Sequence, residues 1–291
     1  MPLRAQAAPV EAKAANLQVY RNTEVASHYG SLDYLTACEL HLFETYLRAG
    51  MAILDVGVGG GRTTPYLSQK ASRYVGVDYS EEMVRVCRGK FPHLEFLVAD
   101  ASDLSGVSDA SFDAIVFAFN GLDYVLPAEK RKQCLRECER VLRVGGVLIF
   151  SSHNPRAILV RPSWDPGILR ALARRLFPQP GFGFTILVGA LTVAKSIHAY
   201  WRAVAGSVMR ILRRVPTATF WHGEGCGFDS AHGGLTTHYW TARHAIDELS
   251  SLGLRFEAQL GDDYPKSSHE LVTDWYYYVF SKAEAVRESC A

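Results

Sequence analysis

The feature that most constrains this chain is a regular alternation of short apolar runs with helix-forming segments between Ala52 and Phe150. Ala52-Ile-Leu-Asp-Val56, Arg73-Tyr-Val-Gly-Val-Asp78, Leu94-Glu-Phe-Leu-Val98, Phe112–Phe119 and Val147-Leu-Ile-Phe150 are each of strand length. Such near-continuous apolar runs suit strands covered on both faces of a parallel sheet. Thr63–Lys70, the segment opened by Ser80 and Ala128–Leu142 read as the intervening helices. Ser80 is a cap with Glu81 and Glu82 in the first turn, and Gly145-Gly146 is the stop after Leu142. Strands and helices in strict turn imply βαβ units and an α/β, doubly wound, mostly parallel sheet.

Outside this core the pattern changes twice. Leu17 to Arg48 has helical apolar spacing and ends at Gly50, while residues 1–16, rich in Ala, Gln and Pro, are expected to be a disordered tail. The rhythm breaks between Pro155 and about Gly234. It resumes with a helix over Ala242–Leu252 and strands over Leu254–Leu260 and Trp275–Phe280. The expected organisation is a sheet domain from residues 17–154 and 235–283, interrupted by an insertion at 155–234.

At 291 residues, 48% apolar and 21% charged, the chain can bury a full core, and wholesale disorder is excluded. Six cysteines are too few for a disulfide framework. Cys134 and Cys138 sit four apart on a helix, and no second Cys or His pair has zinc-finger spacing, so all six are read as reduced thiols of a cytoplasmic protein. The start Met-Pro-Leu-Arg-Ala-Gln lacks the apolar run of a secretion signal.

The segment Leu54-Asp55-Val56-Gly57-Val58-Gly59-Gly60-Gly61-Arg62 follows a buried strand and opens a helix. Glycines there let the backbone turn and approach a ligand closely. A dinucleotide fingerprint needs glycine at its first, third and sixth positions. Gly57 and Gly59 match, but Arg62 takes the sixth place, which suits a nucleoside ligand without a pyrophosphate. Asp78 ends the second strand, where a carboxylate can accept from both ribose hydroxyls. Asp100 ends the third strand with Ala101 beside it, near where an adenine amino group would lie. Loop, Asp78 and Asp100 fall at the carboxyl edge of successive strands, where open α/β sheets bind ligands.

With these motifs the sequence resembles the class I S-adenosylmethionine-dependent methyltransferases of small-molecule type. The matching stretches are Ile53-Leu-Asp-Val-Gly-Val-Gly-Gly-Gly61, Val75-Gly-Val-Asp-Tyr-Ser80, Ala99-Asp-Ala101 and Val141-Leu-Arg-Val-Gly-Gly146. The likeness covers residues 17–153 well and 235–281 loosely. It implies a seven-stranded sheet of order 3-2-1-4-5-7-6 with the last strand antiparallel, N-terminal helices and S-adenosylmethionine as cofactor, leaving S-adenosylhomocysteine. It implies that Asp55, Gly57, Gly59 and Gly61 hold the aminocarboxypropyl end and that Asp78 holds the ribose. Tyr79 and Met83 would lie near the adenosine, with Asp100 and Ala101 beside the adenine. Asn120 would line the methyl-transfer site, and Tyr20 and Tyr29 would close the pocket.

A hydroxyl acceptor needs its proton removed, usually by a nearby His, Asp or Glu. His153, in Ser151-Ser-His-Asn154 after the fifth strand, is the first candidate base; a loop histidine bonded to backbone is the competing reading. Asp123 orients substrate or caps a turn. His238, in a stretch rich in glycine and histidine, is the second candidate base. His222, Glu224, Asp229, His232 and His238 lack tight ligand spacing, so no metal is expected. Besides a methyltransferase acting on a small-molecule hydroxyl (sugar, lipid-linked or natural-product type), two other classes stand. One is a cofactor-binding protein acting as a cyclase or non-methylating module. The other is a nucleic-acid methyltransferase, disfavoured by the lack of an Asn-Pro-Pro-Tyr-type motif. Fold alone does not separate them.

The formal charge of +1 hides an asymmetry. Arg156 to Arg214 holds ten Lys or Arg against one acid, Asp165, a local +9 that leaves −8 for the rest. On a helical wheel Lys195, Arg202, Arg210 and Arg213 fall within about 60° of one another, opposite Ile197, Trp201, Val204 and Val208. A basic amphipathic helix over 195–214 fits a lid over the acceptor, contact with an anionic or lipid-linked acceptor, or peripheral contact with an anionic membrane. The apolar stretch Phe182–Ala194, about 13 residues, is short of the ~18–20 that a spanning helix needs.

Overall fold

The computed structural model describes residues 9–157, 223–229, 235–266, 270 and 273–283. Three N-terminal helices, α1 (Pro9–Tyr20), α2 (Thr23–Gly30) and α3 (Ala37–Tyr46), precede the alternating core. The core runs β1 (Met51–Val56), α4 (Thr64–Lys70), β2 (Ala71–Asp78), α5 (Glu81–Lys90), β3 (Glu95–Val98), β4 (Phe112–Phe117), a 3-10 turn at Gly121–Tyr124, α6 (Ala128–Val141) and β5 (Leu142–His153). A hairpin of β6 (Glu224–Asp229) and β7 (Leu235–Trp240) follows, then α7 (Ala242–Ser251), β8 (Leu254–Gly261) and β9 (Trp275–Lys282).

The sheet order is β3-β2-β1-β4-β5-β9-β8, with β6 and β7 pairing apart from it. Counting only the sheet's own strands gives the expected 3-2-1-4-5-7-6. β1 to β5 are parallel, and β9 is antiparallel to both β5 and β8. Apolar cores cover both faces. Leu54, Val56, Ile115 and Phe150 pack under α6 and α7 on one side. Ile53, Val116 and Ile149 pack with Leu42 and Phe43 of α3 on the other. Burial on both faces is why β1 is an apolar run broken only by Asp55 instead of an alternating one. Ser80 accepts from the Met83 N–H at 3.4 Å, and Thr36 with Glu39 forms a capping box at the start of α3. Four of the free thiols, Cys38, Cys87, Cys134 and Cys138, are buried.

The structure differs from the sequence expectations in three places. Residues 9–16 belong to α1 and are not a tail, because tertiary ties hold them: the Asn16 amide donates to the Thr236 carbonyl at 2.7 Å and accepts from its N–H at 3.1 Å. Glu224–Asp229 is a strand where a loop was expected, because Leu235–Trp240 pairs with it residue for residue. α6 ends at Val141 with Leu142 already extended, so β5 starts five residues earlier than Val147 and Gly145 lies within it. The basic segment over 195–214, the Phe182–Ala194 stretch, His222 and His232 lie outside the described residues. Among the described residues, no helix is long and apolar enough to cross a membrane.

Candidate active site

A cavity of about 310 Å³ opens along the carboxyl edge of β1, β2, β4 and β5. The β1–α4 turn forms its floor. Gly57 sits at φ 64°, and a Cβ there would come within 2.7 Å of the Phe117 ring. Gly60 has an ordinary φ, yet a Cβ on it would meet the backbone of Tyr29 and Gly30 at 2.3–2.5 Å. The Lys90 ammonium donates to the Gly30 and Gly60 carbonyls, each at 2.8 Å, and fastens this contact.

Two buried carboxylates flank the turn. The Asp78 side chain accepts from the Gly59 and Ser80 N–H groups, both at 2.9 Å. Asp55 accepts from the Thr63 hydroxyl at 2.7 Å and the Tyr74 hydroxyl at 2.8 Å. Burial pushes both up to about 6, against the pull of these donors. Asp100, half-buried at the end of β3, is paired with Lys13 of α1 and accepts from Ser102. These partners outweigh its burial and hold its carboxyl below the usual range. Tyr20 gathers the rings of Tyr29 and Tyr79, each 6.1 Å away, and of Tyr124 at 6.3 Å. The Tyr79 hydroxyl is buried without a partner among the described residues.

At the other end, His153 closes β5. Its Nδ1 lies 2.8 Å from Asp123 Oδ2, which also accepts the His153 backbone N–H at 2.7 Å. An ionised carboxylate only accepts, so Nδ1 carries the proton and Nε2 presents a lone pair, here 3.2 Å from the Asn120 amide nitrogen. Asp123 is fully buried, and the Ser152 hydroxyl donates to its other oxygen at 2.6 Å. Ser152 in turn accepts from the Trp240 indole. Asn120 takes a left-handed conformation, φ 61°, and its N–H donates to Ser151 at 2.7 Å, which turns the side chain toward His153.

The cavity wall therefore carries Tyr20, Tyr29, Asp55, Gly57, Gly59, Asp78, Tyr79, Met83, Asp100, Ala101, Asn120 and His153. Three expected site residues stand elsewhere. Gly61 is off the wall and faces α5, where a Cβ would strike Phe91 at 2.8 Å. Asp123 neither lines the cavity nor caps a turn; it is spent on His153. His238 is 1% exposed and away from the cavity. Side chains alternate along a strand, so Tyr239 faces His153, ring centroids 5.7 Å apart, and His238 points the other way. There His238 Nε2 donates to Glu224 at 3.1 Å, and burial lowers the imidazole below its ordinary value.

Glu224 also accepts from Arg131, fully buried, and pairs with His244 at 2.9 Å. His238 and Arg131 hold its carboxyl well below the usual range. Glu224, His244 and Glu248 are close enough to hold a metal ion among the described residues, but Arg131, 3.6 Å from Glu248, already supplies positive charge there.

Lys13, Arg62, Phe119, Tyr124 and Trp275 also line the cavity and carried no prior assignment. Lys13 lay in the supposed tail. Arg62 is buried against Glu39, which also accepts from the Tyr277 hydroxyl at 2.6 Å, and its guanidinium lies 4.8 Å from the Phe119 ring centre. The glycine-loop spacing placed Arg62 at the helix start without showing its partner. The described groups fit a nucleoside with a charged tail: a turn that excludes side chains, two acids at strand ends, rings for a base and an orphaned hydroxyl.

Comparison with known proteins agrees. Residues 54–150 match the family described as a methyltransferase domain. A demethylmenaquinone methyltransferase of Clavibacter sepedonicus is 36% identical over 121 residues, 40% of this chain and 47% of that one. A fatty-acid O-methyltransferase of Mycolicibacterium smegmatis is 27% identical over 165 residues, 55% and 57% of the two chains. The chain spans about half the length of these curated relatives. In fold it is similar to a S-adenosylmethionine-dependent methyltransferase of Methanosarcina mazei, TM-score 0.54 and 18% identity over 87% of this chain and all of that one. Residues 54–150 thus match a methyltransferase domain, and the sheet that contains them has the fold of the S-adenosylmethionine-dependent methyltransferases.

Proposed function

We propose that this protein methylates a hydroxyl of a small-molecule acceptor, with His153 as general base and Asp123 as the residue that positions it. S-adenosylmethionine, when bound, supplies a methyl group on a positively charged sulfur and leaves as the thioether S-adenosylhomocysteine. Asp78, Gly57 and Gly59 would hold its nucleoside, Asp55 the side toward the amino acid tail, and Tyr20, Tyr29 and Tyr79 the base. His153 Nε2 receives the acceptor's hydroxyl proton, and Asp123 stabilises the imidazolium so formed. The Asn120 amide, now bonded to Nε2, yields that lone pair to the incoming hydroxyl. The observation that carries this reading is the Asp123–His153 pair at the end of β5, with His153 on the cavity wall and its second nitrogen held only by the Asn120 amide among the described residues.

Relatives whose names give demethylmenaquinone and a fatty acid as substrates support a small-molecule acceptor. The insertion begins just after His153, which supports its role as an acceptor lid, and the +9 over Arg156–Arg214 within it supports an anionic or lipid-linked acceptor. Calorimetric titration with S-adenosylhomocysteine tests the cofactor; absence of binding sinks the reading. A screen of sugar, lipid-linked and phenolic acceptors with labelled methyl donor finds the substrate class. His153→Gln then lowers turnover a hundredfold or more, since a positioned base contributes about 10²–10⁴; unchanged turnover removes His153 from the role.

A further inference from the structure

Trp275 opens β9 and is the direct cross-strand partner of His153 in the β5–β9 register. Partners of this kind stand on the same sheet face with Cβ atoms about 4.5–5.5 Å apart. Both line the cavity. The next residues along β9, Tyr276, Tyr277 and Tyr278, are buried in the two cores, so Trp275 is the one ring of the run that reaches the cavity.

The Trp275 Nε1 is buried and has no hydrogen-bond partner among the described residues. An indole N–H can only donate, and leaving it unmet inside a protein is unfavourable. Phe119 lies against the indole with ring centroids 6.1 Å apart at 64°, a contact that supplies no oxygen or nitrogen lone pair. Phe119 is itself held in place by a left-handed backbone, φ 56°, and by Arg62 over its ring. On the other side of His153, Tyr124 stands edge-on to the imidazole, 6.2 Å away at 90°. The cavity beside His153 is thus lined by aromatic rings, and one of them is the indole whose N–H lacks an acceptor among the described residues.

We propose that Trp275 determines acceptor specificity. Its indole N–H donates a hydrogen bond to an atom adjacent to the hydroxyl that His153 deprotonates. The preferred acceptor class is then a planar aromatic hydroxyl compound with a hydrogen-bond acceptor beside the hydroxyl. A sugar would bring several further donors and acceptors against rings that cannot answer them. The proposal rests on the O-methylation reading above and narrows its substrate.

The test uses two probes of equal shape, 1-naphthol and 8-hydroxyquinoline, which differ by a ring CH against a ring nitrogen beside the hydroxyl. Each is titrated calorimetrically, with chelator present, into full-length protein saturated with S-adenosylhomocysteine. The expected result is at least tenfold tighter binding of 8-hydroxyquinoline, a preference that falls below threefold in Trp275→Phe while 1-naphthol affinity stays the same. Where Trp275→Phe does not fold, benzothienylalanine at position 275 removes the N–H and keeps the shape. Equal affinities in the unaltered protein, no binding of either probe, or a preference that survives loss of the N–H overturns the proposal. Failure of S-adenosylhomocysteine to bind in the first titration defeats the methyltransferase reading instead, and the two failures are separately visible.

Discussion

His153 and His238 each sit beside a carboxylate, at 2.8 Å from Asp123 and 3.1 Å from Glu224, yet they inhabit opposite settings. His153 ends a strand at the cavity rim, a fifth exposed, with one nitrogen anchored and the other facing the space where an acceptor would lie. His238 is enclosed, its Nδ1 without a partner among the described residues, and its carboxylate is shared with Arg131 and His244. The first pair leaves a basic nitrogen available. The second commits the imidazole to a bond inside the hairpin, to a carboxylate that itself ties the hairpin to α6 and α7. A histidine–carboxylate contact is therefore not in itself a catalytic device; what matters is which nitrogen remains and what it faces.

Four measurements press on this contrast. The largest effect is on turnover: His153→Gln loses about two to four orders of magnitude, and His238→Gln, assayed alongside, changes it less than about twofold. If both fall equally, the contrast is void. Next is stability. Arg131→Met strands the Glu224 and Glu248 carboxylates without their cation and lowers the free energy of urea unfolding by about 3 kcal/mol, while leaving cofactor affinity unchanged because the cluster is off the cavity. Third is pH. Asp78 accepts a ligand's hydroxyls best when ionised, and its carboxyl titrates near 6. S-adenosylhomocysteine affinity, measured by calorimetry, is then constant at neutral pH and falls about tenfold for each pH unit below 6 if one proton is linked. A flat profile down to pH 5 removes Asp78 from ligand contact. The smallest effect is that of His238→Gln on stability, about 1 kcal/mol by urea unfolding, the scale of one buried hydrogen bond.

The sheet and the glycine-turn end of the cavity are legible in the sequence because both depend on local pattern. Buried parallel strands are near-continuous apolar runs, and the glycine turn, Asp78 and Asp100 sit at fixed points relative to those strands. The His153 end depends on pairings that the sequence does not display. Nothing near Asp123 says that it meets His153, thirty residues on, and nothing near Trp275 says that it lies beside His153 across β5 and β9. His238 was misplaced because a glycine-rich stretch reads as loop. Its true periodicity of two emerges only once Leu235–Trp240 pairs with Glu224–Asp229. The N-terminal tail was misread for a similar reason: Lys13 and Asn16 are polar residues whose partners, Asp100 and Thr236, lie 87 and 220 positions away.

Gly60 has one more implication, for the family history of this fold. Its backbone conformation is open to any residue, so the glycine answers to the end of α2 pressed against it and not to the turn. A substitution to alanine would push α2 outward and carry Tyr29 with it. A related chain without a docked helix at this place is free to hold a larger residue there. The identity of this one position thus records, within the most recognisable motif of the sequence, whether the N-terminal cover is present, and it can serve to sort relatives with the cover from those without it.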